Sequence, residues 1–393
     1  MNKKYLSLLV VVFFFFPLFA HTQTTDEVVV RQLISGGTIT NLDTQNNTTL
    51  KDYWGNYWLL DVLIEGKMYL FLYDTGCTIT ALSKNLPFGT NELASITVTD
   101  MKGNDADEKI YKTHLSINGT VFKDIAFVKF DLNQLNTIGC MKIDGILGAN
   151  LIKKCNWKID LNQRKIFFSK TPFVVDTSLE PIPMKWYNDL TPILKLNYKG
   201  IDFVALLDTG FSGKLKISNE VFGSTFATDG YKTEKGTGTA FVTINAVVKE
   251  KLERVILNDI YFGKKEIDNL PVLIDNSKPM LGCGIFGKEE AIFNFTENQV
   301  YISPATENTA FITDVNICRN ETDSSKIEIC FLWNTKETKE IRLGDTIISF
   351  DGIDTSKVDE KMYCNIQSLL KSKKNIPVVI KRGNKTIAFL LNK

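Results

Sequence analysis

From Tyr57 to Ser303 the chain alternates Val, Ile, Phe and Thr with polar residues in short runs broken by Gly, Asn and Asp. Long stretches with apolar residues every 3.6 positions are absent. A period of two sends successive side chains to opposite faces, so the pattern predicts strands joined by tight turns. The run YWLLDVLIEGKMYLFLYD, residues 57–74, predicts a hairpin turning at Glu65-Gly66-Lys67. TPILKLNYKGIDFVALLD, residues 191–208, predicts another turning at Lys199-Gly200. Each hairpin delivers an Asp at its strand end.

The two hairpins belong to a longer repeat. Gly66, Asp74 and Gly148 in one half correspond to Gly200, Asp208 and Gly282 in the other at a constant offset of 134. One offset across three landmarks indicates a duplicated domain. After Ile146-Leu147-Gly148 and after Met280-Leu281-Gly282 comes a short apolar stretch that predicts one helical turn, then a final hairpin. Trp157-Lys158-Ile159-Asp160 answers Phe293-Asn294-Phe295-Thr296 at an offset of 136, as a two-residue insertion would produce. The halves meet in a proline-bearing linker from Thr171-Pro172 to Pro183, giving expected domains at 21–178 and 179–304. Past Ser303-Pro304 the pattern changes, and a third unit, 305–393, has no counterpart upstream.

Composition then narrows the chemistry. The 393 residues carry 46 Lys plus Arg against 45 Asp plus Glu, a balance that recommends neither nucleic acid nor an anionic membrane surface as partner. Of the two histidines, His21 borders a leader-like segment, which leaves His114 to serve any Ser-His-Asp or Cys-His chemistry. His114 reads as an ordinary strand residue. No HExxH pair exists to hold zinc, and neither metal nor cofactor is expected. Seven cysteines fit no metal spacing and no disulfide framework, so buried free thiols are the default, with Cys318 and Cys330 a candidate cross-strand pair.

Lys3 and Lys4 precede an apolar run from Tyr5 to Ala20, the layout of a secretory signal peptide over residues 1–20. The expected protein is exported, periplasmic or secreted, with no stable membrane insertion after signal removal. An uncleaved N-terminal anchor is the alternative.

A strand ending in Asp-Thr-Gly, followed about seventy residues later by two apolar residues and Gly, resembles the signature of pepsin-like and retropepsin-like aspartic proteases. Here it occurs twice, at Asp74-Thr75-Gly76 and Asp208-Thr209-Gly210, and the resemblance covers roughly residues 50–305. It implies a mainly β fold of two homologous β-barrel lobes about a pseudo-two-fold axis. It also implies an aspartic endopeptidase acting on peptide or protein substrates, with Asp74 and Asp208 as a catalytic pair sharing one proton. Thr75 and Thr209 would hydrogen-bond the opposite lobe, and Gly76 and Gly210 would let the loops approach. Ile146-Leu147 and Met280-Leu281 would form an apolar floor. Both lobes lie in one polypeptide, so a monomer suffices for the site.

The flap candidates are Thr97-Val98-Thr99-Asp100-Met101-Lys102-Gly103 and Lys235-Gly236-Thr237-Gly238-Thr239. No specificity pocket is readable. Where the family carries Ser, Ala or Thr after the glycine, this chain has Cys77 and Phe211. A catalytically silent peptide-binding protein with the same fold is therefore the competing reading, and an adhesive or structural β protein a third.

In the last unit, Leu343-Gly344-Asp345-Thr346-Ile347-Ile348-Ser349-Phe350-Asp351-Gly352 resembles the central strand and turn of bacterial PDZ domains. This implies a small α+β domain with a peptide ligand. The family's carboxylate-binding loop is not evident near Ala310-Phe311, and Asn334–Thr338 replaces its usual small-residue helix.

Overall fold

The computed structural model describes residues 25–391, apart from 43, 54–56, 100–102, 104, 134, 137–139, 141, 178, 188–189, 226–229, 243–246, 287–289 and 303–312. The leader-like segment and the loop at Ala310-Phe311 lie outside the described residues. The chain is mainly β, arranged in two large sheets. No helix among the described residues is long and apolar enough to cross a membrane.

Both expected hairpins form. Tyr57–Ile64 pairs antiparallel with Lys67–Tyr73, and Thr191–Tyr198 with Ile201–Asp208. Their turns are equivalent: Glu65 and Gly66 have φ of 47° and 78°, Lys199 and Gly200 of 45° and 86°. Two consecutive left-handed residues match the right-handed twist of the flanking strands, and glycine takes the second position without strain.

Each Asp-bearing strand is then flanked by the short apolar strand read from the sequence. Phe71–Tyr73 runs parallel to Gly145–Leu147, and Leu206–Asp208 parallel to Met280–Gly282. Leu147 and Leu281 are fully buried, with Ile146 and Met280 nearly so. The predicted helical turns follow at Ala149–Ile152 and Cys283–Phe286.

The last hairpins of the two halves, Asn156–Asp160 with Lys165–Ser169 and Glu290–Asn294 with Gln299–Ile302, meet edge to edge, Trp157 opposite Phe293. Gln45–Thr49 and Ile182-Pro183 extend this shared sheet at either side. Behind it the buried rings of Trp58, Tyr73, Trp157, Phe286 and Phe293 form one cluster drawn from both halves, with successive centroids 5.2–6.3 Å apart. Burying each ring is worth about 1.5–3 kcal/mol, enough to fix one half against the other.

The C-terminal unit has its own apolar core, built from Val315, Ile317, Ile329, Ile347, Phe350, Ile366 and Ile380 among others. Its strands Val315–Arg319, Ile327–Trp333, Thr346–Phe350, Ile376–Arg382 and Lys385–Leu391 pack against the helix Glu360–Ser372. Asp359 caps that helix by accepting the Met362 amide at 2.7 Å. The turn after Phe350 forms at Asp351-Gly352, both left-handed.

A strand pairing and a disulfide are among the contacts that hold this unit to the rest. Phe331–Trp333 pairs with Gly236–Gly238 of the second half, and Cys140 of the first half is disulfide-bonded to Cys364. Cys318–Cys330 forms the cross-strand bond anticipated from the sequence. The free-thiol default therefore holds for Cys77, Cys155 and Cys283 and fails for Cys140 and Cys364. The latter two are 224 residues apart and meet through tertiary docking, which no spacing rule reports.

Candidate active site

Asp74 and Asp208 end equivalent strands, and their carboxyl groups are hydrogen-bonded to each other. The loops beneath them are interlocked. The Thr75 amide donates to the Thr209 hydroxyl at 3.0 Å, and the Thr209 amide to the Thr75 hydroxyl at 3.1 Å. Each hydroxyl in turn donates across the axis, Thr75 to the Leu207 carbonyl at 2.6 Å and Thr209 to the Tyr73 carbonyl at 2.9 Å. Both threonines are fully buried, so every one of these groups needs its partner.

The glycines are required by approach rather than by φ. A Cβ at position 76 would lie 2.3 Å from Cγ of Asp208, and one at 210 would lie 2.4 Å from Oδ2 of Asp74. Any side chain there would push the carboxyls apart. The loop amides point inward: Gly76 and Cys77 donate to Asp74 Oδ1 at 2.8 and 3.0 Å, and Gly210 to Asp208 Oδ1 at 2.9 Å.

Electrostatics separate the two acids. Burial raises the Asp74 carboxyl well above the usual range, and the charge of Asp208 raises it further. Burial also raises Asp208, but a hydrogen bond from Asp74, the Gly210 amide and the Lys216 cation oppose the rise. Both carboxyls are therefore held above the ordinary carboxylate range and titrate as a pair.

A second, outer pair of contacts spans the two halves. The Tyr57 hydroxyl donates to Ser212 Oγ at 3.4 Å, and Thr78 Oγ1 lies 3.4 Å from Thr191 Oγ1. Position 57 maps to 191 and 78 to 212 at the same offset of 134, so these contacts are mirror images about the pseudo-axis. Sequence reasoning missed all four residues, although applying the repeat offset to polar side chains near the tripeptides would have found them. Burial raises the Tyr57 phenol, the Ser212 hydrogen bond opposes the rise and the aspartate pair adds to it, so the phenol stays neutral.

The residues after the glycines play different parts. The Cys77 thiol donates to the Ile79 carbonyl at 3.1 Å, and burial with the charges of Asp74 and Asp208 pushes it well above the usual thiol range. It stays a thiol and is no nucleophile. Beneath the first loop, Asn150 Oδ1 accepts the Thr80 amide and hydroxyl, both at 2.8 Å, while Thr80 Oγ1 accepts the Gly148 amide at 3.2 Å.

Neither a protein-family model nor a curated protein matches this chain.

The flap candidates fare unequally. Thr97–Thr99 ends the strand Ala94–Thr99, which pairs with Asp105–Ile110 in a hairpin, and 100–102 lie outside the described residues. Lys235-Gly236-Thr237-Gly238-Thr239 is not a turn: it lies within the strand Glu234–Val242, paired with Val247–Leu257 on one side and with the C-terminal unit on the other. Its glycines suggested a bend, but they let Phe331 and Trp333 approach. A Cβ on Gly238 would meet the Cys330 carbonyl at 2.1 Å.

His114 is an exposed strand residue whose Nδ1 accepts the Asp124 amide at 3.0 Å. Asp259, Glu266 and Asp268 bring carboxylate oxygens within 4.8 Å of one another on a hairpin apart from the site.

Proposed function

We propose that the chain is an exported aspartic endopeptidase whose two lobes, 21–178 and 179–304, are aspartic-protease β barrels, followed by a PDZ-like domain at 305–393. The reading rests on one observation: Asp74 and Asp208 share a hydrogen bond at the ends of equivalent strands whose loops are locked together by Thr75 and Thr209.

In this reading the pair acts with one carboxylate and one carboxylic acid. The ionised member takes a proton from a water as its oxygen attacks the peptide carbonyl carbon, while the protonated member donates to the carbonyl oxygen. A tetrahedral diol forms with no covalent enzyme intermediate. Return of a proton to the nitrogen lets the C–N bond break, and the pair regains its single proton. Gly76 and Gly210 keep the carboxyls close, and the buried floor of Leu147 and Leu281 makes the shared proton favourable.

The test is cleavage of an unfolded protein by the leader-free chain from about pH 3 to 8, beside Asp74→Asn and Asp208→Asn. Loss of cleavage in either variant is the expected result. Full activity in both would remove the pair from the chemistry.

One observation favours a second reading, a silent peptide-binding protein. The side chains of Cys77 and Phe211 give the carboxylates no hydroxyl support, since the Cys77 thiol is spent on Ile79. Peptide binding without cleavage at any pH would select it.

A further inference from the structure

Behind the Asp208 loop lies a charge that the repeat does not duplicate. Lys216, on the strand Leu215–Ser218, is fully buried, whereas the residue in its register in the first half, paired with Ile146 as Lys216 is with Met280, is the buried Ala81. Its Nζ lies 3.4 Å from Oδ2 of Asp275, a carboxylate that is itself buried. The other Asp275 oxygen accepts the Ser277 amide and hydroxyl at 2.7 and 2.6 Å. The ammonium also sits 5.8 Å from the centroid of the Phe211 ring, within cation–π reach.

Strand order orients this ion pair. The Asp208 strand borders Met280–Gly282, which borders the Lys216 strand, which borders Leu270–Asp275. Asp275 thus lies on the side away from Asp208, and the positive end of the pair meets the Asp208 loop at Phe211. An aromatic face at 211 offers the ammonium a seat that Ser or Thr would not. The residue that departs from the family pattern is explained by the lysine behind it.

We propose that Lys216 is a positioning residue for the aspartate pair: its ammonium, held by Asp275 against Phe211, keeps the negative charge on Asp208 and the shared proton on Asp74. Asp208 is then the base that activates water, and Asp74 the acid. This inference rests on the endopeptidase reading for its catalytic meaning. Lys216 is also among the influences that draw Asp208 downward. Among the described residues, the other titratable groups beside the pair include Tyr57 and Cys77 from the first half and Cys283 from the second.

The deciding experiment titrates the aspartate carboxyl carbons of the folded, leader-free chain by NMR, with Asp74→Asn and Asp208→Asn giving the assignments. The expected result is that Asp208 ionises first and Asp74 retains the proton; the reverse order overturns the proposal. Removing Lys216 alone would strand Asp275, so the variant is the double Lys216→Met/Asp275→Asn. In it the acid limb of kcat/KM should move up by about half to one pH unit, since the lost ion pair turned its positive end toward Asp208 and so favoured the ionised form. A purely structural role would lower the melting temperature and leave the limb in place, which refutes the proposal. If the double variant does not fold, the wild-type titration still decides. A chain that cleaves nothing would sink the endopeptidase reading, while the titration would still judge Lys216.

Discussion

The hydroxyls of Thr75 and Thr209 each accept the other's backbone amide and each donate to a carbonyl of the opposite half. Four hydrogen bonds thus cross the pseudo-axis through two side chains. Valine at either position keeps the shape but leaves a buried amide and a buried carbonyl without partners. Thr75→Val or Thr209→Val should cost about 2–4 kcal/mol in denaturant unfolding. Cost near zero would mean that the loops are held by packing alone.

The aspartate pair should destabilise the fold at neutral pH. Asp74 has a folded-state pKa above its unfolded value, so the folded chain binds more protons between the two values. Its contribution to stability is greatest below the unfolded value and declines as pH rises toward the folded one. Asp74→Asn, neutral at every pH, should melt above the wild type at pH 7, with the gap narrowing on acidification. Calorimetry across pH checks this, and a gap that widens in acid contradicts it.

Arg254 clamps the C-terminal unit. Its guanidinium is 2.7 Å from Glu234 and 2.6 Å from Asp314, and stacks 4.5 Å from the Trp333 ring centroid, while the residue is 5% exposed. Arg254→Met should increase hydrogen exchange in 315–319 and 327–333 without unfolding the core around Trp157. Arg254→Lys should not restore protection, because an ammonium cannot fork to two carboxylates while stacking. Full protection with lysine would show that charge alone suffices.

The Cys140–Cys364 bond joins the first half to the C-terminal helix across 224 residues of sequence. Replacing both cysteines by serine should lower stability by about 3–5 kcal/mol in guanidinium unfolding, as expected when a long loop in the unfolded chain is released. The Cys318–Cys330 bond closes only 12 residues, and its loss should cost less. Equal costs would argue against the entropic account.

The repeated pattern of apolar runs, turn glycines and Asp-Thr-Gly was legible in the chain because it is local. Period-two alternation and left-handed turn positions act over a few residues, and duplication writes them twice at one spacing. That was enough to read the hairpins, the strands beside Asp74 and Asp208, and the final hairpins. What only the tertiary structure decided were pairings between segments that no local rule connects. These are the mirrored contacts of Tyr57 with Ser212 and Thr78 with Thr191, the Cys140–Cys364 bond, and the strand at Lys235–Thr239 built for a neighbour rather than for a turn. Lys216 belongs with them: buried without warning in a strand, it draws its meaning from Asp275 and Phe211, which folding alone brings beside it. A charge excluded from water is set by what surrounds it, and that is a property of three dimensions.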